Sequence, residues 1–191
     1  MKKSLLTATF MLLGIVTLFA QVELKALVGT NFSSLKYTDG GSKYAGKAGY
    51  QFGGGVLIGD KFYVEPGIQF VKSSGEITEN STSFDFSQNF VKVPVYAGYH
   101  LLGAEDKPIA LRIFAGPAVS IAGKISKGED QIGKDDLKKA IWAVDGGVGL
   151  DILFLFVEAN YEYAFTDHFV SDANNAKHGA FIINAGVHID F

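Results

Sequence analysis

Apolar and polar residues alternate along most of the chain, in eight stretches of ten to thirteen residues. In the last stretch, FIINAGVHIDF, Val187 and Ile189 share an apolar face, whereas His188 lies on the opposite, polar face. A period of two residues is typical of a β-strand with one face against apolar surroundings, and here it outweighs helical spacing. The pattern therefore predicts eight strands, at residues 22–32, 48–58, 61–70, 90–101, 109–121, 142–152, 156–165 and 181–191.

The segments between these strands are alternately long and short. Short turns follow the second, fourth and sixth strands: Gly59 and Asp60, the sequence GAEDK, and the few residues before Phe156. Long loops at one end of an even number of antiparallel strands, with tight turns at the other end, are typical of a bacterial outer-membrane barrel. We therefore expect an all-β fold, an eight-stranded antiparallel up-and-down transmembrane β-barrel with both termini at the periplasmic end. The four long extracellular loops are predicted at residues 33–46, 73–88, 123–139 and 166–178.

Three prolines interrupt the predicted strands, at Pro66, Pro94 and Pro117. Proline has no amide hydrogen to donate to a ladder, so within sheets it usually marks an edge or a bulge. The strand register near these residues is therefore left open by the sequence.

The polar faces of the strands distinguish a membrane barrel from a soluble one. A lipocalin-like barrel buries its Val, Ile and Phe face and presents a densely charged face to water. Here the polar face carries mainly Gly, Asn, Gln and Ser with isolated charges of both signs, which suits the crowded interior of a narrow barrel. We therefore expect these charges to pair as a structural polar network that fills the lumen. Its predicted members are Lys25, Glu65, Lys92, Arg112, Asp145, Asp151, Glu158, Glu162, His188 and Asp190.

The first twenty residues differ from the rest of the chain. They begin with Lys2 and Lys3, continue with an apolar run and end at Ala20. A basic start, a short apolar run and a small residue before the cleavage point are typical of a secretory signal peptide, and the run is short for a membrane-spanning helix. We expect cleavage after Ala20, which divides the chain into a signal peptide at 1–20 and an outer-membrane β-barrel domain at 21–191.

Composition narrows the chemistry further. The 191 residues include 23 Gly, 16 Phe and 8 Tyr but no Cys, so disulfides, thiolate metal sites and a cysteine nucleophile are excluded. The net charge is −3, and removal of Lys2 and Lys3 leaves 15 basic against 20 acidic residues, or −5. A mildly acidic chain has no electrostatic reason to bind nucleic acid.

No motif predicts a catalytic, metal or cofactor site. The four histidines lack a metal-binding spacing, and the loops SDANNAKHG and KGEDQIGKDD do not match a calcium-binding EF-hand. The glycine clusters GGGVLIG and GGVGLD lie within strands and do not spell a dinucleotide-binding motif. Glu158 and Glu162 suit acid–base chemistry, but four residues of a strand separate them by about 13 Å. We therefore expect no enzymatic activity and no cofactor.

Four blocks of the sequence carry a family resemblance: FVKVPVYAGYHL, IFAGPAVS, GGVGLDILFLFVEANYEYAF and INAGVHIDF. Together they resemble the PorT-like outer membrane protein beta-barrel domain, over essentially the whole mature chain. The resemblance implies an integral eight-stranded barrel in the cell outer membrane, in contact with outer-membrane lipid. It also implies that the terminal aromatic residue, Phe191, is the signal that the outer-membrane assembly machinery recognises. Because the family holds proteins of diverse role, the resemblance leaves the function open.

Four functions are compatible with these features. The first is a monomeric barrel with a filled lumen that has a structural role or binds an extracellular or envelope protein through its loops. The second, suggested by the glycine-lined inner face, is a narrow pore or transporter for small solutes. The others are an outer-membrane enzyme acting on lipids and a soluble lipocalin-like binder. The polar face fits the first function best.

Overall fold

The computed structural model describes residues 21–33, 36–39, 42–79, 82–103, 108–127, 140–165 and 179–190. The predicted signal peptide at 1–20, the terminal Phe191 and the predicted loop at 166–178 lie outside the described residues. Among the described residues there is no helix long and apolar enough to cross a membrane. The strands are β1 (Val22–Ser33), β2 (Lys36–Asp39), β3 (Ser42–Gly59), β4 (Phe62–Glu79), β5 (Thr82–Leu102), β6 (Ile109–Lys127), β7 (Ala140–Ile152), β8 (Leu155–Ala164) and β9 (Gly179–Asp190).

Eight of these strands close into an antiparallel barrel in chain order, and β2 is a short addition to the outer part of β3. The barrel closes at β1, which pairs with β3 on one side. On its other side β1 pairs with β9, from Glu23 opposite Asp190 to Ser33 opposite Ala180. The first and last strands therefore leave no unpaired edge between them, as a barrel in hydrocarbon requires. The predicted eight-stranded up-and-down barrel is confirmed.

Two of the predicted long loops are partly strands. β4 and β5 stay paired as far as Glu79 opposite Thr82, so the predicted loop at 73–88 was wrong and this segment is a hairpin. The predicted loop at 33–46 likewise contains a short hairpin between β2 and β3. Outside the bilayer both faces of a strand meet water, so backbone pairing continues without the apolar alternation that marks a membrane strand. Of the predicted loop at 123–139, the first residues belong to β6 and residues 128–139 lie outside the described part.

The tight turns and the prolines keep the strands in register. The first turn consists of Asp60 and Lys61, one residue later than predicted, because Gly59 still pairs with Tyr63. Gly59 has a φ of +121°, a backbone conformation that side chains rarely permit. The strand pairs keep the same register on both sides of the three prolines, although two residues beyond Pro66 have no partner in β5.

The barrel is polar inside and apolar outside. In β1, Val28 is 64% exposed on the outer face, whereas Lys25 is 4% exposed on the inner face. This is the reverse of a soluble barrel and is the arrangement that the alternation predicts. Outward aromatic residues gather near the strand ends, where Phe62 stacks with Tyr99 at 4.6 Å between ring centroids. Such a position is typical of the aromatic girdle at a membrane interface.

The lumen also contains two small apolar clusters. One lies nearer the tight turns and the other nearer the long loops, and the charged side chains lie among them. Their members are Leu57, Tyr63, Tyr96 and Phe114 in the first and Phe90, Ile141, Ala143 and Ala164 in the second.

Candidate functional site

Five charged side chains meet in the half of the lumen nearer the tight turns, and we call them the lower cluster. Its members are Lys25, Glu65, Arg112, Asp151 and Glu158. The Lys25 ammonium donates to Glu65 Oε1 at 2.8 Å and to Glu158 Oε1 at 2.5 Å. Its side chain is completely buried, so solvent does not screen these pairs. Lys25 therefore links β1 to β4 and β8 across the lumen.

Arg112 is the second cation of the lower cluster, and it contacts all three carboxylates. Its Nε donates to Asp151 Oδ2 at 2.9 Å, and its Nη2 donates to Glu158 Oε1 at 2.7 Å. Nη1 lies 3.6 Å from Glu65 Oε2. The side chain is only 1% exposed. One oxygen of Glu158 is therefore shared by two buried cations.

Three charged side chains form an upper cluster, nearer the long loops. Lys92 Nζ lies 2.7 Å from Asp145 Oδ2 and 2.5 Å from Glu162 Oε2. The Tyr96 hydroxyl donates to Asp145 Oδ2 at 2.6 Å. Lys92 and Asp145 are almost completely buried. This cluster joins β5, β7 and β8.

Two amide side chains connect the lower cluster to the remaining strands. Gln51 Nε2 donates to Asn184 Oδ1 at 2.8 Å, and Asn184 Nδ2 lies 3.5 Å from Glu158 Oε2. Gln51 belongs to β3 and Asn184 to β9. With these two residues, all eight strands of the barrel contribute a polar side chain to the lumen network.

Aromatic rings complete the lower cluster. The Phe156 ring centroid lies 4.4 Å from Lys25 Nζ and 5.6 Å from Arg112 Cζ, distances at which a ring attracts a cation. Phe156 shares the inward parity of Glu158, a signal that its apolar character concealed. Sequence reasoning therefore missed Phe156, as it missed Tyr96 as a hydrogen-bond donor.

Glycines make room for the large inward side chains. A Cβ atom at Gly98 would overlap the ring of Tyr63, and a Cβ atom at Gly149 would lie 3.0 Å from the guanidinium carbon of Arg112. Each glycine lies beside its large neighbour in the adjacent strand. The glycine-rich inner face thus accommodates side chains that fill the lumen instead of leaving it open.

The remaining predicted members of the network lie at the tight-turn end. His188 Nδ1 is 3.0 Å from Glu23 Oε1, a partner that the sequence pattern did not single out. Asp190 pairs with Glu23 through the backbone, and its side chain lies outside the described residues. The structure therefore brings eight of the ten predicted residues into the two clusters and places His188 at the mouth.

A small cavity of about 40 Å³ adjoins the upper cluster on its loop side. That volume holds a few water molecules. Gln51 Oε1, in its wall, has no hydrogen-bond donor among the described residues. Within the same residues no group of His, Cys, Asp and Glu is arranged to hold a metal ion. The cavity walls are formed by Asn31, Ser33, Gln51, Val71, Ser73, Phe90, Lys92, Ser120, Ile141, Glu162, Ala180 and Ile182.

The family follows from a sequence comparison. Residues 19–170 match the model of the outer membrane protein beta-barrel domain. The chain belongs to this family. This outer membrane β-barrel protein therefore lies in the outer membrane, with its apolar outer face in contact with lipid. No curated protein matches the sequence.

Solved structures show the same fold. The outer membrane protein OprG from Pseudomonas aeruginosa is 13% identical, with a TM-score of 0.54 over 91% of this chain and 96% of that chain. The attachment invasion locus protein Ail of Yersinia pestis is 15% identical, with a TM-score of 0.48 over 88% and 99%. The N-terminal barrel domain of Pseudomonas aeruginosa OprF is 14% identical, with a TM-score of 0.46 over 90% and 98%. At these identities the likeness concerns the fold alone.

Proposed function

We propose that this outer membrane β-barrel protein is a closed, non-catalytic barrel that has a structural or interaction role through its loop end. The observation that carries the proposal is the buried network to which all eight strands contribute. An ion crossing the lumen would have to separate Lys25 and Arg112 from Glu158, at 2.5 and 2.7 Å. Separating buried ion pairs leaves charges uncompensated in a medium of low dielectric constant. The network therefore acts as a plug.

The same contacts support the absence of catalysis. Glu158 is engaged by Lys25 and Arg112, and Glu162 is engaged by Lys92. A carboxylate held by buried cations is a weak base, because its charged form is already stabilised. Neither glutamate is therefore suited to act as a general base on a lipid.

The loop end offers the surface for an interaction. A membrane strand needs about 9–11 residues to cross the bilayer, whereas β4 has 18 residues and β5 has 21. Both strands therefore project beyond the membrane on one side of the barrel, with β3 paired to the outer part of β4. We propose that this projecting sheet, together with the long loops, contacts an extracellular or envelope protein.

Membership of the PorT-like group, a monomeric state and the processing of the chain are further parts of the proposal. The four blocks quoted above support the PorT-like assignment. The basic and apolar pattern of residues 1–20 supports a signal peptide cleaved after Ala20. Phe191 is proposed as the residue that the outer-membrane assembly machinery recognises.

A narrow pore for small solutes is the second candidate. The cavity beside Lys92 and Glu162 favours it, because it is polar and lies on the loop side of the lumen. For solutes to pass, the lower cluster beneath this cavity would have to open.

Solute entry into proteoliposomes separates the two candidates. We expect vesicles that contain the purified barrel to swell in isotonic solutions of glycine, arabinose or raffinose no faster than protein-free vesicles. Vesicles with a general porin, prepared in parallel, provide the positive control. Swelling above the protein-free rate that decreases with solute size would contradict the plug and favour the pore.

A further inference from the structure

One of the three tight turns is apolar, unlike the other two. The β3–β4 turn consists of Asp60 and Lys61, and the β5–β6 turn carries the sequence GAEDK. The β7–β8 turn consists of Leu153 and Phe154, which are 65% and 60% exposed. Polar turns are expected where the periplasmic end meets water. The β7–β8 turn therefore calls for different surroundings.

The backbone of this turn does not explain its sequence. Leu153 has a φ of +55°, a left-handed conformation that Gly, Asn and Asp adopt more readily than Leu. Two-residue hairpin turns with a positive φ at the first position favour Gly there. Leucine is thus unfavourable at this position for the backbone and, if water covered it, for the side chain. An apolar environment around the turn accounts for the leucine.

The turn lies close to the lipid-facing surface of the barrel. It is flanked by Ile152 and Leu155, which are 47% and 49% exposed on the outer face. β8 begins at Leu155, opposite Val187, whereas β9 continues to Asp190. The turn therefore ends three residues short of β9, about 10 Å at the rise of a strand. Its apolar surface is continuous with the surface that the strands present to lipid.

The backbone of the turn is also prepared for a medium without water. The Leu153 amide donates to the Pro108 carbonyl at 2.8 Å, and the Phe154 carbonyl accepts from the His188 amide at 2.9 Å. In lipid each backbone polar group needs a partner within the protein. These two bonds supply partners for groups that a turn projecting into water would not need to pair.

We infer that Leu153 and Phe154 insert into the periplasm-facing leaflet of the outer membrane and anchor that side of the barrel in the phospholipid. The polar β3–β4 turn, in contrast, projects into the periplasm. The barrel is thus held at the membrane surface by one apolar turn and flanked by polar turns. The inference rests on the membrane orientation of the barrel and is independent of whether the lumen conducts.

Fluorescence of a single tryptophan tests this inference. The chain has one Trp, so a Trp142→Phe background allows a reporter to be placed by Phe154→Trp, with Lys61→Trp as the matched control in a polar turn. Each variant is refolded into phosphatidylcholine vesicles with or without brominated acyl chains. We expect the Phe154→Trp reporter to emit at shorter wavelength and to lose roughly half of its emission to the brominated lipid, as a group at the acyl boundary does. The Lys61→Trp reporter should instead be quenched by aqueous acrylamide.

The inference is overturned if both reporters emit at the wavelength of a water-exposed indole and are quenched equally by acrylamide. A second variant tests it without a reporter. Asn tolerates a positive φ better than Leu, so Leu153→Asn should raise the denaturant midpoint of unfolding if water covers the turn. Insertion into lipid predicts the opposite sign, a lower midpoint in vesicles. A raised midpoint would overturn the inference.

Discussion

Replacing Arg112 by methionine is expected to lower the free energy of unfolding by about 3–5 kcal/mol, the usual cost of removing one partner from a buried ion cluster. The substitution keeps a long side chain but leaves Glu65, Asp151 and Glu158 with a single cation, Lys25. Asp151 loses the 2.9 Å bond to Arg112 Nε. Unfolding by guanidinium in phospholipid vesicles, followed by the emission of Trp142, gives the free energy directly.

An exposed ion pair provides the control for Arg112. Lys47 lies 2.7 Å from Glu76, with side-chain exposures of 43% and 28%, so Lys47→Met should cost less than about 1 kcal/mol. Adding Asp151→Asn to Arg112→Met should recover part of the loss, because an amide does not need a buried counter-charge. Equal effects of Arg112→Met and Lys47→Met would show that the lumen charges are solvated and do not form a plug.

Placing a charge on the outer face tests which face meets lipid. Val28 lies in the middle of β1 and is 64% exposed. Val28→Arg is expected to cost about 2–4 kcal/mol, as a cationic side chain does at the bilayer midplane. Leu102→Arg, at the tight-turn end of β5, should cost about 0–1 kcal/mol, because arginine reaches the headgroups there. The same vesicle unfolding measurement applies to both.

In a soluble barrel the two arginine substitutions would have similar and small effects. Val28 and Leu102 are both exposed, and a charge exposed to water changes stability little. A cost for Val28→Arg no greater than that for Leu102→Arg would therefore contradict the lipid-facing orientation.

The alternation alone predicted the barrel and the side of the lumen on which Lys25 and Arg112 lie. A shift of one residue would move every side chain of a strand to the other face, so the period of two determines which residues point inward. Glycines such as Gly98 then indicated a crowded interior. The tight-turn end was predicted to within a residue, because short turns leave few ways to join two strands.

The pairings within the lumen were not predictable in the same way. Lys25 and Glu158 are 133 residues apart in sequence, and their contact depends on the stagger of all the strands between them. The hairpin at 73–88 was missed for a different reason. Its residues lie beyond the bilayer, where neither face of a strand has to be apolar, so the sequence carries no alternation to mark it.

Ion current across a planar lipid bilayer tests most directly whether side chains close the lumen. The purified barrel is inserted into a bilayer between concentrated potassium chloride solutions, and current is recorded at voltages of both signs. A lumen closed by the contacts of Lys25, Lys92 and Arg112 predicts no discrete conductance steps above the protein-free bilayer. Reproducible unitary steps that scale with salt concentration would contradict it.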